Sequence, residues 1–292
     1  MSDLFEIVPN ISEGRDRAVI QACVAAAERA DVRVVHTTSD AAHNRSVLTA
    51  IGTGDALVDA ALAIAHIAVE RIDLRRHRGE HPRIGALDVL PFVPLGTTPL
   101  ADAVKLAQRA AARLWSELRV PSYLYGAAAR TPQRENLAEV RRGEFEALAT
   151  RETDPDWHPD YGDRMHESAG ASAVGARPFL IAFNVELRTG ELPIATAIAR
   201  SMRARDGGLR TLKALAMRLD TARVQVSFNV TDIDAIPLYR ITELVRVLAA
   251  GYGVEIARSE LIGLAPRRAI QTTARYYLGV NEIPDEETLL EH

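Results

Sequence analysis

Lysine is nearly missing from this 292-residue sequence, in which Lys105 and Lys213 stand against thirty-three arginines. Recognition of carboxylates and phosphates therefore falls to guanidinium groups, which bind them through a planar, two-pronged fork. Cysteine is represented by Cys23 alone, which excludes a disulfide framework and a thiolate metal cluster. Positive charge is not in excess. The 35 basic residues meet 39 acidic ones for a net charge of -4, so a polycationic nucleic-acid surface is not expected. Long apolar runs are missing as well: the longest, residues 60–69, contains His66 and is too short to span a bilayer. The opening residues MSDLFE carry acids where a secretory leader would carry bases, so a cytoplasmic location is expected. Also lacking are a Gly-x-Ser-x-Gly elbow, a Walker lysine and the Rossmann glycine spacing, which leaves nucleophilic-serine and nucleotide-loop chemistry without support.

What is present is ordinary for a soluble globular chain, 47% hydrophobic and 25% charged. Apolar periodicity predicts a strand at 5–8 ending at Pro9, a helix over 18–30, and strands at 32–35 and 46–51 separated by a polar loop. A helix over 56–72, a proline-bounded strand at 87–93, a helix over 100–118 and a strand at 122–125 follow. Residues 151–170 hold acids, prolines and small residues with little periodicity, and read as a long loop. The second half repeats the grammar more plainly: strand 178–187, helix 192–205, strands 211–219 and 223–230, helix 238–250 and strand 254–264. That order, βαββαβ, is the ferredoxin-like unit. The expected fold class is α+β, with two ferredoxin-like βαββαβ sandwich subdomains, residues 1–177 and 178–292, and a cleft between them.

The segment HRGEH at 77–81 matches the zinc-hydrolase pattern His-x-x-Glu-His, with His77, Glu80 and His81 as its members. That chemistry requires a helix, so that both histidines project from one face toward one ion. Gly79 between them and Pro82 directly after them interrupt a helix there, and no metal is expected. The same breakers make residues 80–85 a rigid polar loop entering a strand. His81 in that loop is a candidate general base flanked by Glu80 and Arg83, with a surface histidine of no role as the plain alternative. In the loop 39–46, Asn44 and Arg45 offer an amide and a bidentate fork for a carboxylate, or simply a solvated turn. Asn10 lies in a similar stretch, where Ser12 is a candidate cap for the first helix. The small-residue run 166–175 permits close backbone approach by a flat ligand, or serves as a flexible connection.

Six stretches, in order along nearly the whole chain, carry a resemblance: VPNISEGR at 8–15, HNRS at 43–46, RHRGEHPRIGALDV at 76–89, YLYG at 123–126, AVGARPFLIAFN at 173–184 and VSFNVTD at 226–232. Together they resemble the glutamate formimidoyltransferase family, which also forms the formiminotransferase domain of formimidoyltransferase-cyclodeaminase. The resemblance implies a homodimer of chains with two ferredoxin-like subdomains each. It implies transfer of the formimidoyl group of N-formimidoyl-L-glutamate to N5 of tetrahydrofolate, the co-substrate, within histidine degradation and without a metal. The family's catalytic histidine maps onto His81 in GEHPR, and its folate stretch onto Gly162, His166, Ser168, Ala169 and Gly170. With arginine almost the only cation available, Arg45, Arg83 and Arg177 become the candidates for the substrate's carboxylates, beside Asn10, Asn44 and Asn184. The sequence departs from the family pattern at HTT (36–38), where an acid is usual, leaving Asp40 as the candidate partner of His81. It departs again at Glu167 and Glu186, which keeps open a family member that uses another donor or acceptor amine.

Overall fold

In the computed structural model, residues 3–151 and 154–281 are described. The chain divides into two compact units, Met1–Phe179 and Leu180–His292.

The first unit opens with a strand broken in the middle. β1 (Phe5–Ile7) and β2 (Asn10–Ile11) both pair antiparallel with the same two neighbours, β4 (Arg45–Gly52) and β5 (Leu87–Pro94). Pro9 between them has no N–H to give to a ladder, so the strand interrupts there and resumes. α1 (Arg17–Glu28) starts at Asp16, whose carboxylate accepts from the amides of Ala18 and Val19. The expected cap, Ser12, instead donates its hydroxyl to the Gly85 carbonyl at 2.7 Å. β3 (Arg33–Asp40) pairs with β4 at the edge of the sheet, and α2 (Gly54–Arg71) leads to β5. These elements make one βαββαβ unit with strands in the order β3, β4, β1/β2, β5.

The unit is then extended. α3 (Leu100–Leu118) leads to β6 (Ser122–Gly126), and β7 (Ser172–Ala176) inserts between β5 and β6, parallel to both. The sheet's apolar side chains, among them Ile7, Leu48, Leu90 and Leu124, join the alanine-rich faces of α2 and α3 in one core. Between β6 and β7 lie the short helices α4 (Leu137–Val140) and α5 (Leu148–Arg151) and three single 3-10 turns, with Val140, Phe145 and Leu148 buried in the same core.

The second unit is β8 (Ile181–Leu187), α6 (Leu192–Met202), β9 (Leu212–Arg218), β10 (Val224–Val230), α7 (Leu238–Ala250) and β11 (Ile256–Ile262), followed by α8 (Arg267–Leu278). Its strands run β11, β8, β10, β9, all antiparallel, which is the ferredoxin-like order. The tripeptide FNV occurs in both β8 and β10, and the two copies meet at their phenylalanines, with Phe183 opposite Phe228. Among the described residues no helix is long and apolar enough to cross a membrane.

Two further expectations need correction. The polar loop between the second and third strands is largely strand: β3 continues to Asp40, and a four-residue turn ending at Asn44 (φ 48°) reverses the chain. Serine and threonine keep that edge extended, and the Ser46 and Ser39 hydroxyls hydrogen-bond across the pair at 2.9 Å, with the Ser46 hydrogen given to the Glu13 carbonyl. The run 166–175 is neither a ligand-cradling loop throughout nor a loose connection, since residues 172–176 form the buried strand β7. A side chain at Gly175 would collide with the Tyr125 ring, so smallness there is a packing requirement. The helix α8 was not foreseen at all.

Candidate functional site

The stretch from Ile72 to Ala86 joins α2 to β5 without regular structure, as its Gly79 and Pro82 require. It is nonetheless held along its length. The amides of Arg76 and His77 both donate to the Asp73 carbonyl (3.1 Å each), and Leu74 donates to the Ser168 carbonyl at 2.8 Å. Glu80 donates to Ala42 (3.3 Å), Phe145 to Arg83 (2.9 Å), Ala171 to Ile84 (2.9 Å) and Ala86 to Ala169 (2.9 Å). Gly79 lies so close to the β3–β4 turn that a Cβ would sit 2.3 Å from the His43 carbonyl oxygen. A glycine is therefore obligatory beside the candidate base.

On one face of this segment His81 meets Arg45, at the start of β4, and Asn10 of β2. Arg45 Nη1 hydrogen-bonds His81 Nε2, and Nη2 donates to Asn10 Oδ1. A guanidinium can only donate, so Nε2 is an acceptor and the imidazole is neutral. Its proton then lies on Nδ1, which donates to the Pro82 carbonyl at 2.7 Å. Burial first, then the charges of Arg45 and Arg141, hold the His81 pKa down to about 4. Arg45 is itself brought down to about 10, by burial and then by repulsion from Arg141, and stays charged at neutral pH. Its Nε is buried without a hydrogen-bond partner.

The acid whose charge acts on both His81 and Arg45 is Asp88, which is 1% exposed on β5. Its Oδ1 accepts from the Ile84 amide at 2.8 Å and its Oδ2 pairs with Arg141, at the end of α4. Tyr125 also belongs here: burial raises its pKa, and Arg177, Arg141 and Asp88 all act on it. Asp88, Arg141 and Tyr125 were not named from the sequence. Asp88 carried a readable signal, a carboxylate inside an otherwise apolar strand. Arg141, one of two adjacent arginines in a short helix end, carried none.

The opposite face of the segment is built differently. His77 is buried, donating from Nε2 to the Asn44 carbonyl at 3.0 Å and accepting at Nδ1 from Arg83 Nε at 3.3 Å. Arg83 spends the rest of its fork on Glu144 (2.7 Å) and Glu146 (2.7 and 2.9 Å), which raise its pKa. A depression of about 400 Å³ lined by Leu74, Arg78, Phe145 and Glu146 opens on this face, and His81 is not among its walls. The four ring nitrogens of His77 and His81 are thus all engaged by protein groups on a non-helical segment, so the helical zinc geometry does not form.

Of the candidates from sequence, the structure brings His81, Arg45 and Asn10 together. Asn44 is spent on the fold: its Oδ1 accepts from Gly14 N (3.0 Å) and its Nδ2 donates to the Arg78 carbonyl (3.1 Å). Arg83 is neutralised twice over, and Asp40 pairs with His43 at 2.9 Å instead of with His81. Arg177 follows β7 and donates to the Pro178 carbonyl at 3.2 Å. Asn184 lies on β8 in the second unit, with its amide toward Glu260 at 3.3 Å.

The stretch 162–170 runs against the back of the same segment. Gly162 (φ 96°) packs under Trp115 and Pro121, and His166 and Gly170 exchange backbone hydrogen bonds at 2.9 Å. The His166 ring accepts from Ala169 N at 3.1 Å, and burial lowers its pKa. Gly170 (φ 69°) could hold no Cβ, which would fall 2.1 Å from the Ile84 carbonyl oxygen. Ala169 is buried, and the Ser168 carbonyl takes the Leu74 amide. At two of the three departures noted above, Glu167 pairs with Arg75 at 2.5 Å, and buried Glu186 with Arg258 (2.7 Å) and Arg223 (3.2 Å).

A family model described as the formiminotransferase domain, N-terminal subdomain, matches residues 4–177, and one described as the formiminotransferase domain matches residues 182–289. The chain is 42% identical over 295 residues to the glutamate formimidoyltransferase of Streptococcus pyogenes serotype M1, covering 100% of this chain and 99% of that one. It is 45% identical over 292 residues to the glutamate formimidoyltransferase of Thermoplasma acidophilum, covering 99% and 96%. With the formimidoyltransferase-cyclodeaminase of Gallus gallus it shares 40% identity over 286 residues, which are 95% of this chain and 53% of that protein.

Proposed function

The chain belongs to the formiminotransferase family, and from that premise we propose that it is a glutamate formimidoyltransferase. It is a transferase, moving the formimidoyl group of N-formimidoyl-L-glutamate to N5 of tetrahydrofolate and releasing L-glutamate. The setting is histidine degradation, and the working form is a cytoplasmic homodimer that needs no metal. The observation that carries the reading is the neutral imidazole of His81, with its acceptor nitrogen turned toward a half-buried arginine.

The reaction moves one proton along with one carbon. The folate N5 attacks the amidine carbon, and a tetrahedral intermediate forms. His81 Nε2 takes the N5 proton as the new N–C bond is made. The same nitrogen returns that proton to the glutamate nitrogen as the old C–N bond breaks, so the ring ends as it began. Asn10 and Arg45 flank the exchange, Arg45 and Arg141 supply positive charge for a substrate carboxylate, and residues 162–170 are assigned to the folate. Holding the two substrates in contact contributes much of the remaining acceleration.

The test is direct. Purified chain is incubated with tetrahydrofolate and N-formimidoyl-L-glutamate, and 5,10-methenyltetrahydrofolate is followed after acid conversion of the product. Product that depends on both substrates is expected. Absence of product from a folded chain that binds folate would overturn the donor assignment.

A further inference from the structure

Arg45 occupies the wrong place for a spectator. It is a half-buried cation, and among the described residues no carboxylate touches it. Asp88 cannot serve, because one of its oxygens holds the Ile84 amide and the other holds Arg141. Asn10 is neutral. Charges withdrawn from solvent are ordinarily paired, so a half-buried charge that no carboxylate meets, with its buried Nε unpartnered, marks a site that waits for an anion. Arg45 meanwhile covers the one lone pair in the site that the reaction needs. The Nδ1 proton is committed to the Pro82 carbonyl, which leaves Nε2 as the only nitrogen of His81 able to accept. A base whose acceptor is occupied by a guanidinium cannot take a proton from folate.

We propose that Arg45 is a substrate-operated cover on His81: it occupies Nε2 in the resting protein, and a carboxylate of the amino-acid donor draws it away and so frees the base. This inference rests on the proposed acid/base role of His81 and adds an order of events to it. Folate cannot be deprotonated before the donor is in place, because the same arginine serves the base and the donor in turn. The charged and titratable groups around the ring are Arg45 on β4, Arg141 at the end of α4, Asp88 on β5 and His43 in the β3–β4 turn, whose ring lies 6.1 Å away edge-on. Of these, Arg45 alone bonds the acceptor nitrogen, so its departure changes the basicity of His81 most. A carboxylate arriving on Arg45 also offsets its charge. Both changes move the ring toward neutral pKa, where a general base works best.

The test is a titration of His81 by nuclear magnetic resonance in histidine-labelled protein, with the signal assigned through His81→Asn. L-Glutamate, which carries the donor's two carboxylates and no formimidoyl group, is the probe. In the free wild type, His81 stays neutral from pH 8 down to 5 as the Nδ1–H tautomer. Saturating glutamate raises its pKa by more than one unit, a tenfold gain in proton affinity, and brings the titration into that window. In Arg45→Met the pKa is already raised without glutamate, and glutamate adds less than half a unit. Arg45→Lys serves if the methionine variant does not fold, with a smaller rise of the same sign. An unchanged His81 titration on adding glutamate would overturn the cover, as would failure of glutamate to bind. Turnover of His81→Asn separates the two levels: if it survives, the acid/base reading itself fails, whereas an inactive variant with a glutamate-insensitive wild-type titration removes the cover alone.

Discussion

The segment from His77 to Arg83 has two faces, and they are finished in opposite ways. On the His77 face every strong donor and acceptor is matched: His77 bridges Asn44 and Arg83, and Arg83 is met by two glutamates. On the His81 face the matching stops short, with a half-buried arginine that no carboxylate among the described residues touches and unpartnered Nε atoms on both Arg45 and Arg141. A saturated network fixes the backbone, while an unsaturated one stays costly until a ligand completes it. The difference teaches how to sort like residues four positions apart: the charge balance around a side chain decides its task, and its residue type does not.

The sharpest way to break that comparison is to exchange the consequences of its two histidines. Replacing His81 by Asn is expected to lower kcat by about 10³-fold, within the range of lost general acid–base catalysis, with the unfolding midpoint nearly unchanged. Steady-state kinetics and a thermal melt on the same sample decide it. Arg45→Met is expected to lower kcat/KM by about 10²-fold and to raise KM for N-formimidoyl-L-glutamate more than KM for tetrahydrofolate. An equal rise in both would place Arg45 outside donor recognition.

On the other face the effect should move from rate to stability. His77→Ala leaves the Asn44 carbonyl and Arg83 Nε without their partner, at about 2–3 kcal/mol of unfolding free energy by denaturant titration. The folded fraction should keep kcat within a few-fold. Glu146→Gln is the mildest change, about 1 kcal/mol, because Glu144 still holds Arg83. A larger loss from Glu146→Gln than from His77→Ala would mean that the ion pair, and not the histidine bridge, fixes the segment.

How much of this was legible in the sequence differs between the fold and the site. Alternating and helical periodicities located both βαββαβ units, because amphipathic elements on a single core leave that trace. β7 escaped because a strand wedged between β5 and β6 and packed against the Tyr125 ring is Ser, Ala and Gly around a single Val174, which looks like a loop. The β3 extension escaped because polar edge residues suppress the apolar signal. At the site, Gly79 and Pro82 disclosed that His81 sits on a rigid loop and not on a metal-binding helix. Arg83 was chosen by its nearness in sequence to His81, but its partners Glu144 and Glu146 lie some sixty residues further on, and spacing could not announce them. Arg141 was missed for the same reason in reverse.

The central claim is that the neutral imidazole of His81 is the proton carrier of the transfer. Its most direct test is chemical rescue of His81→Gly by added imidazole, measured as turnover across pH. The account predicts that turnover returns in proportion to the free-base fraction of the added imidazole and that His77→Gly shows no such response. A His81→Gly variant that folds, binds both substrates and gains nothing from imidazole would contradict it.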